Sequence, residues 1–276
     1  MSNDLTQEAV ASLLRTCAFG RRLQVLQQTD STNSTLLKMA QDGAPHGTVV
    51  CAEHQTFGRG RRGRTWVSRP GHSLCFSVLL RGRRLLSEDA HWPAWIPLAS
   101  GTAVAYGIAD TIGVTPTLKW PNDLLLGDRK LGGILSESVL TTQSPPLFIV
   151  GIGLNVTLPK DDMPEELLGT ATSLISATGR PADRAQLLSN ILERLEEQLE
   201  PVLDGEITQA ISAYTELSST IGREVSIEFT ATPPLIGSAK AVAPDGALLV
   251  QPRAPGSAPR RMGIVAVRVG DVVHLR

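Results

Sequence analysis

An arginine and glycine run between residues 58 and 64 has the residue types needed to bind an anion. The sequence GRGRRGR places four arginines and three glycines in seven positions, within a chain whose formal net charge is −1. Alternating glycines allow backbone N–H groups to converge on one anion, and guanidinium groups donate forked hydrogen bonds that match phosphate oxygens. The run therefore predicts a compact polyphosphate, such as that of ATP. A solvated basic loop or an arginine-rich nucleic-acid arm are the alternatives.

Two lysines beside tight turns form a second candidate site. In LKWPNDLLLGDRKLGGILSE, Lys119 ends a strand-like segment, and Lys130 follows a Gly-Asp turn directly before Gly132 and Gly133. Small residues at such positions permit close backbone approach to a ligand. The alternative is a plain hairpin that carries two solvated surface lysines.

Two common nucleotide-binding motifs are absent from the sequence. The segment GIGLN lacks the GxGxxG spacing of a dinucleotide site, and no GxxxxGK[ST] run occurs. We therefore expect any ATP to be held by other means. Asn155, which ends the apolar segment FIVGIGLNV, is the most informative polar residue of that region.

The elements that must position these residues follow from hydrophobic patterns. GTVVCAEHQ and SLCFSVLL predict strands on either side of the arginine run, and TLKW, LLLG, GGILSESV and FIVGIGLNV predict further strands. Ser31, Thr32 and Asn33 precede a helical pattern, which places their side chains at a helix amino end. A buried helix is predicted over 97–112, and helical periodicity continues over 182–218.

The character of the chain changes near Thr220. Residues 221–276 contain short strand-like segments separated by turns, which predicts a small barrel of about 55 residues. We therefore expect two domains, 1–220 and 221–276.

Composition limits the class of protein. The chain has 276 residues, of which 42% are hydrophobic and 19% are charged, as in ordinary globular proteins. The amino terminus has no signal-peptide pattern, no long apolar run reads as a membrane span, and three cysteines lack metal-ligand spacing, so we expect a cytoplasmic location and no membrane association. A sequence pI near 6.5 argues against DNA binding.

Five motifs in order resemble the biotin protein ligase family. They are STN (31–33), AEHQTFGRGRRGRTW (52–66), LKWPNDLLLGDRKLGGIL (118–135), GIGLNV (151–156) and ATSL (171–174). The resemblance implies an α+β fold: a mixed-sheet catalytic domain related to class II aminoacyl-tRNA synthetases, followed by an SH3-like barrel. It also implies a two-step activity, in which biotin and ATP form biotinyl-5′-adenylate and the biotinyl group passes to a lysine of a carboxylase carrier domain.

The resemblance also implies roles for individual residues. Lys130 and Arg61 are the expected catalytic residues, with Lys130 between the biotin carboxylate and the α-phosphate. The expected biotin contacts are Ser31, Thr32, Asn33, Gln55, Gly58, Arg59, Gly60, Arg61, Trp66, Lys130 and Gly133. The expected ATP contacts are Arg61, Arg64, Lys119, Asn122, Asn155 and Arg276. Mg²⁺ is expected with the triphosphate, and no protein metal ligand is assigned.

Two alternatives of other classes stay open. A lipoate or octanoate ligase shares the fold and the carrier lysine. Its ligand has no ureido ring, however, and so does not require the polar groups of STN and Gln55. A nucleic-acid-binding module is the non-enzyme alternative. Some family members carry an amino-terminal DNA-binding domain and act as repressors, but only 30 residues precede Ser31, so we expect no repressor role.

Overall fold

A computed structural model describes residues 4–83, 87, 90–140, 145–158, 165–229, 232–253 and 263–275. The helices are α1 Gln7–Leu13, α2 Thr32–Gln41, α3 Trp95–Ile112, α4 Leu174–Thr178, α5 Arg184–Leu203 and α6 Thr208–Leu217. The strands are β1 Leu23–Thr29, β2 Val49–Gln55, β3 Ser73–Arg81, β4 Thr117–Lys119, β5 Asp123–Leu126, β6 Arg129–Val139, β7 Leu147–Asn155, β8 Glu224–Glu228, β9 Leu235–Val242, β10 Leu248–Pro252, β11 Val265–Val267 and β12 Asp271–His274. None of these helices is long and apolar enough to cross a membrane.

The first seven strands form one mixed sheet, as predicted for an α+β fold. Their order is β1-β2-β3-β7-β6-β5-β4. Strands β1 and β2 run parallel, whereas the remaining neighbours are antiparallel. The arginine loop, which we define as residues 58–64, lies in the connection between β2 and β3. Because Ser73 at the start of β3 pairs with Asn155 at the end of β7, the loop and Asn155 lie at the same end of the sheet.

The two faces of this sheet are covered by different helices. Helices α3 and α5 belong to the large hydrophobic cluster with strand residues such as Phe76 and Ile152. Helix α3 is buried along most of its length, which confirms the predicted buried helix. On the opposite face, α2 packs Leu36 and Ala40 against Val50, Leu79 and Ile149. This packing fixes the amino end of α2 beside the middle of the sheet.

The C-terminal segment forms a second, antiparallel sheet, and the predicted SH3-like barrel is not confirmed by the residues described. The strand order is β11-β10-β9-β8-β12, and no pairing joins β11 to β12 within the described ranges. The strands predicted from 221 onward are therefore present, and the described parts of the segment form an open sheet. Alternation and turns indicate where strands lie, whereas closure depends on which edges meet in space.

The second sheet packs closely on the first part of the chain. Its residues Val225, Val250 and Val272 belong to the same hydrophobic cluster as α3 and α5. Two tryptophan side chains add hydrogen bonds: Trp95 Nε1 donates to Pro244 O at 2.7 Å, and Trp120 Nε1 donates to Gly246 O at 3.1 Å. The division near Thr220 thus separates two sheets that share one core.

Candidate functional site

A cavity of about 330 Å³ lies where the amino end of α2, the arginine loop, β6, β7 and the second sheet meet. Nearly all the predicted site residues line it: Ser31, Thr32, Asn33, Gln55, Arg59, Gly60, Arg61, Arg64, Trp66, Lys119, Asn122, Lys130, Gly133 and Asn155. Gly58 borders a neighbouring groove on the outer side of the loop. Arg276 lies outside the described residues. The fold therefore gathers segments from across the sequence around one space.

One end of the cavity is a network of hydroxyl and amide groups. Gln55 Oε1 accepts hydrogen bonds from the Thr32 backbone N–H at 2.9 Å and from its hydroxyl at 3.2 Å. Because the Gln55 carbonyl is occupied in this way, its amide NH₂ is the donor that the side chain turns toward other groups. The Ser31 hydroxyl is not used to cap α2, so it is available as well. These groups can match both the donors and the acceptor of a ureido ring.

Asn33 makes several hydrogen bonds within the protein at the polar end of the cavity. Its side chain is buried, and Nδ2 donates to Glu137 Oε2 at 2.7 Å and to Leu135 O at 3.3 Å. Its Oδ1 accepts from Ser77 Oγ at 2.6 Å. Both N–H groups are thus committed to the protein, so Asn33 supports the polar end rather than offering donors to a ligand.

The glycines of GIGLN make room for two of these side chains. A Cβ atom at Gly151 would lie 2.3 Å from Asn33 Oδ1, and one at Gly153 would lie 2.4 Å from Trp66 Cε2. Real carbon atoms do not approach so closely. Gly151 and Gly153 are two residues apart and therefore face the same side of β7. Because neither has a side chain, Asn33 and the Trp66 indole can pack directly against the strand.

The other end of the cavity is cationic. Arg59, Arg61, Arg64, Lys119 and Lys130 line the space, whereas Asp123 and Asp271 are its carboxylates. Burial lowers the pKa of Lys119, although Asp123 partly opposes the shift. Burial also lowers the pKa of Arg61, with Asp271 acting in the opposite direction. Partly dehydrated cations of this kind gain stability when an anion binds beside them.

Lys130 and Asn122 are held by short polar contacts. Lys130 Nζ donates to Asp123 Oδ1 at 2.6 Å, while Arg61 donates to Asn122 Oδ1 at 3.2 Å. The Lys130 backbone bonds to Thr170 O and receives a bond from the Thr172 N–H, each at 2.8 Å. Residues 170–172, which overlap the ATSL segment, therefore hold the strand that carries Lys130 in place.

The same segment also fixes Asn155, since Asn155 Nδ2 donates to Thr172 O at 3.0 Å. Its Oδ1 is the remaining acceptor of this side chain, which lines the cavity. One backbone stretch thus positions residues from β6 and β7.

Four polar residues of this region were not among the sequence-based candidates: Ser77, Asp123, Glu137 and Asp271. Ser77 is fully buried in β3, and its position within the apolar run LCFSVLL is the signal that could have marked it. Asp123 stands in the Asn-Asp turn that the sequence had already indicated. Glu137 and Asp271 carry no local signal, because their partners lie far away in the sequence.

Comparisons with known proteins identify the family. Residues 25–155 match a profile described as the Biotin/lipoate A/B protein ligase family. The chain is 36% identical over 260 residues to the biotin–[acetyl-CoA-carboxylase] ligase of Mycobacterium tuberculosis, covering 93% of this chain and 90% of that protein. The chain belongs to the biotin protein ligase family. A further relative of this ligase family is the bifunctional ligase/repressor BirA of Bacillus subtilis, 31% identical over 90% of this chain and 74% of that protein.

A solved structure of the ligase family supports the same assignment. The biotin protein ligase from Aquifex aeolicus in complex with biotin and ATP has a TM-score of 0.75 and 28% identity, and the match covers 93% of this chain and 99% of that chain. That protein thus binds biotin and ATP in its solved structure.

Proposed function

We infer that the chain is an ATP-dependent biotin protein ligase. It activates biotin as biotinyl-5′-AMP and transfers the biotinyl group to a lysine of a biotin carboxyl carrier domain. The observation that carries this inference is the joining of two chemically different ends in one cavity. A network of hydroxyl and amide groups suited to a ureido ring opens directly onto a cationic end suited to phosphates.

The first step joins two anions, which is the main chemical difficulty. A carboxylate oxygen of biotin attacks the α-phosphorus of ATP, a P–O bond to the β-phosphate breaks, and pyrophosphate leaves. We propose that Lys130 and Arg61 lie beside the carboxylate and the α-phosphate, where negative charge is concentrated as the two groups approach. Cations fixed in place before the reaction stabilise that charge without reorganisation at the moment of attack.

In the second step the amine of the carrier lysine attacks the acyl carbon of the mixed anhydride. An amide forms, the acyl–phosphate bond breaks, and AMP leaves, while the amine loses a proton. The polar end of the cavity holds the ring during both steps, which keeps the acyl carbon at one position relative to the cations.

The donor set fits Mg²⁺ held chiefly by phosphate. Within the described part of the chain, no group of three or more His, Cys, Asp or Glu residues could enclose a metal ion. Mg²⁺ commonly binds through one or two carboxylates together with substrate phosphates and water, and Asp123 and Asn122 supply oxygens at the cationic end. When bound, the ion neutralises charge on the triphosphate. We propose that Asp123 would supply a carboxylate oxygen to hold the ion.

The partner protein is proposed from chemistry and from the name of a relative. The Mycobacterium tuberculosis relative is named for acetyl-CoA carboxylase, so we propose a carrier domain of an acyl-CoA carboxylase as the acceptor. A lipoate or octanoate ligase is disfavoured, because the relatives named above are biotin ligases and the hydroxyl and amide groups of the polar end suit a ureido ring. A nucleic-acid-binding module is disfavoured for the same reason.

Pyrophosphate release and intact mass measurement test the proposed function together. With Mg²⁺ and ATP, we expect pyrophosphate release on addition of biotin but not of lipoate, and a complex that retains biotinyl-adenylate. Addition of an apo carrier domain should then transfer the biotinyl mass to it. Release with lipoate alone, or no release with either acid, contradicts the proposed function.

A further inference from the structure

One carboxylate, that of Glu137 on β6, binds two side chains that come from different parts of the site. Its Oε2 accepts from Asn33 Nδ2 at 2.7 Å and from Arg59 Nη2 at 2.8 Å. Its Oε1 accepts from Arg59 Nη1 at 2.9 Å. Arg59 is thus held by a two-pronged pair, the geometry that gives guanidinium-carboxylate contacts their direction and strength.

On one side, Glu137 reaches the polar end of the cavity through Asn33. Ser77 Oγ lies 2.6 Å from Asn33 Oδ1 and 2.7 Å from Thr32 Oγ1, and Thr32 in turn holds Gln55. The chain of polar contacts therefore runs from Glu137 through buried groups to the amide proposed to face the ureido ring. Each link is buried or half-buried, so the orientation of one group restricts the next.

On the other side, Glu137 fixes the base of the arginine loop. Arg59 pairs with Thr65 across the loop, and Gly60 N donates to Arg64 O at 2.7 Å. The loop is consequently closed by backbone bonds next to the residue that Glu137 holds. If Arg59 moved away from β6, the segment around Thr65, which pairs with Arg59, would move with it.

We propose that Glu137 is a positioning residue that couples the ring-binding end of the cavity to the arginine loop. When the ring orders Thr32 and Gln55, the shared carboxylate keeps Asn33 and Arg59 in the geometry that holds the loop over the cavity. Glu137 acts through these two side chains and does not touch the reacting atoms. The proposal rests on the proposed ligase function, since it takes biotin as the ligand of the polar end.

The substitution Glu137→Gln tests the coupling with little change of shape. Both partners offer only N–H groups toward Glu137, and a glutamine can accept through one oxygen while its NH₂ faces donors. We expect the dissociation constant for biotin to rise about 10-fold, the scale of one weakened charge-assisted bond. The dissociation constant for ATP alone should change less than about 2-fold.

Limited trypsin digestion measures directly whether biotin binding protects the arginine loop from cleavage. Biotin should slow cleavage after Arg61, Arg62 and Arg64 in the wild-type chain, whereas saturating biotin should no longer slow it in Glu137→Gln. The matched control is Glu193→Gln, which loses an exposed pair with Arg15 at 2.7 Å outside the cavity lining. This control should keep the wild-type affinity and protection.

The outcomes separate three cases. Equal protection of the loop in Glu137→Gln and wild type at saturating biotin overturns the proposal. A parallel loss of biotin and ATP binding also overturns it, because that result indicates a general structural role. If Glu137→Gln does not fold, Arg59→Gln removes the same pair from the loop side, and full protection in that variant overturns the proposal. A wild-type chain that binds no biotin contradicts the proposed function instead.

Discussion

Asp271, on the last strand of the second sheet, forms an ion pair with Arg62 of the arginine loop at 3.2 Å. Arg64 contacts the same carboxylate from a position 207 residues away in the sequence. The second sheet therefore closes one wall of the cavity and restrains the outer arginines of the loop.

Asp271→Asn should weaken ATP binding while leaving biotin binding unchanged, because it releases the cavity-lining Arg64 from the carboxylate that holds it in position. The pairs are partly exposed, so we expect only an increase of about 2- to 5-fold in the KM for ATP. Steady-state pyrophosphate release at varied ATP and biotin gives both constants. Arg268→Gln is the matched control, since it breaks an Arg-Asp pair of the same sheet outside the cavity lining. An unchanged KM for ATP contradicts the restraining role.

Lys130→Ala should slow formation of biotinyl-adenylate by roughly 100-fold or more, the scale of losing one preorganised electrostatic donor. Transfer from supplied biotinyl-adenylate should be affected much less, because the proposed charge stabilisation belongs to the first step. Single-turnover measurement of each step separates them. Lys240→Ala removes an exposed lysine of the second sheet and should leave both rates intact. Normal adenylate formation in Lys130→Ala excludes the residue from the first step.

Arg61→Gly should release biotinyl-adenylate roughly 30- to 150-fold faster, which corresponds to losing about 2–3 kcal/mol of charge-assisted hydrogen bonding. The released mixed anhydride reacts with any available amine, so added serum albumin should become biotinylated. Labelling is compared at matched rates of adenylate synthesis.

The neighbouring residue provides the control for Arg61→Gly. Arg62 lies outside the cavity lining and has a positive φ of 56°, a conformation that glycine adopts without strain. Arg62→Gly therefore removes a guanidinium from the same loop without the proposed ligand contact, and it should label albumin much less. Equal labelling by both variants and the wild type rules out retention by Arg61.

Gly151→Ala should damage the polar end of the cavity selectively. The added Cβ would lie 2.3 Å from Asn33 Oδ1, so Asn33 must leave its bond to Ser77. We expect loss of biotin affinity by at least about 10-fold, the scale of one disrupted buried hydrogen bond, with ATP affinity retained. Calorimetric titration with each ligand checks this. Gly263→Ala, at an exposed position with open space around the added Cβ and no left-handed backbone, controls for a general effect of an added methyl group on the fold. Retained biotin affinity in Gly151→Ala contradicts the arrangement.

Protonation of His274 is expected to lower the free energy of unfolding in mild acid. Burial lowers its pKa from 6.5 to about 4, and Lys119 and Arg223 act in the same direction while Asp128 opposes them. Its Nε2 lies 3.1 Å from Thr220 Oγ1, which itself accepts from the Trp120 N–H at 3.0 Å. The Thr220 hydroxyl therefore links the half-buried imidazole to the Trp120 backbone, and a charge on that imidazole would have to be accommodated beside Lys119 and Arg223.

A histidine whose pKa is lower in the folded chain than in the unfolded chain resists protonation in the fold. Its contribution to stability is fully present above about pH 6.5 and declines as the pH falls toward about 4. We expect the urea midpoint to fall across this window in the wild type and less steeply in His274→Gln. Substitution of the exposed His91 by Gln should leave the wild-type profile. Identical profiles for wild type and His274→Gln contradict this role.

Local patterns in the sequence determined most of the elements and the residue types around the cavity. The strands that flank the arginine loop, the helix that begins after Ser31 and the Asn-Asp turn before β5 were all predicted, because each depends on residues close together in the chain. The same holds for the family motifs, whose order alone indicated biotin and ATP chemistry.

Contacts between distant segments were decided only by the tertiary structure. The approach of Asp271 to Arg62, the sharing of Glu137 by Asn33 and Arg59, and the open edge between β11 and β12 all depend on sheet register and on how two sheets pack. Asn33 illustrates the difference: its amide suits a ligand by type, yet burial against Gly151 and Ser77 commits it to the protein. No short stretch of sequence encodes such a contact, because its free energy depends on groups that only folding brings together.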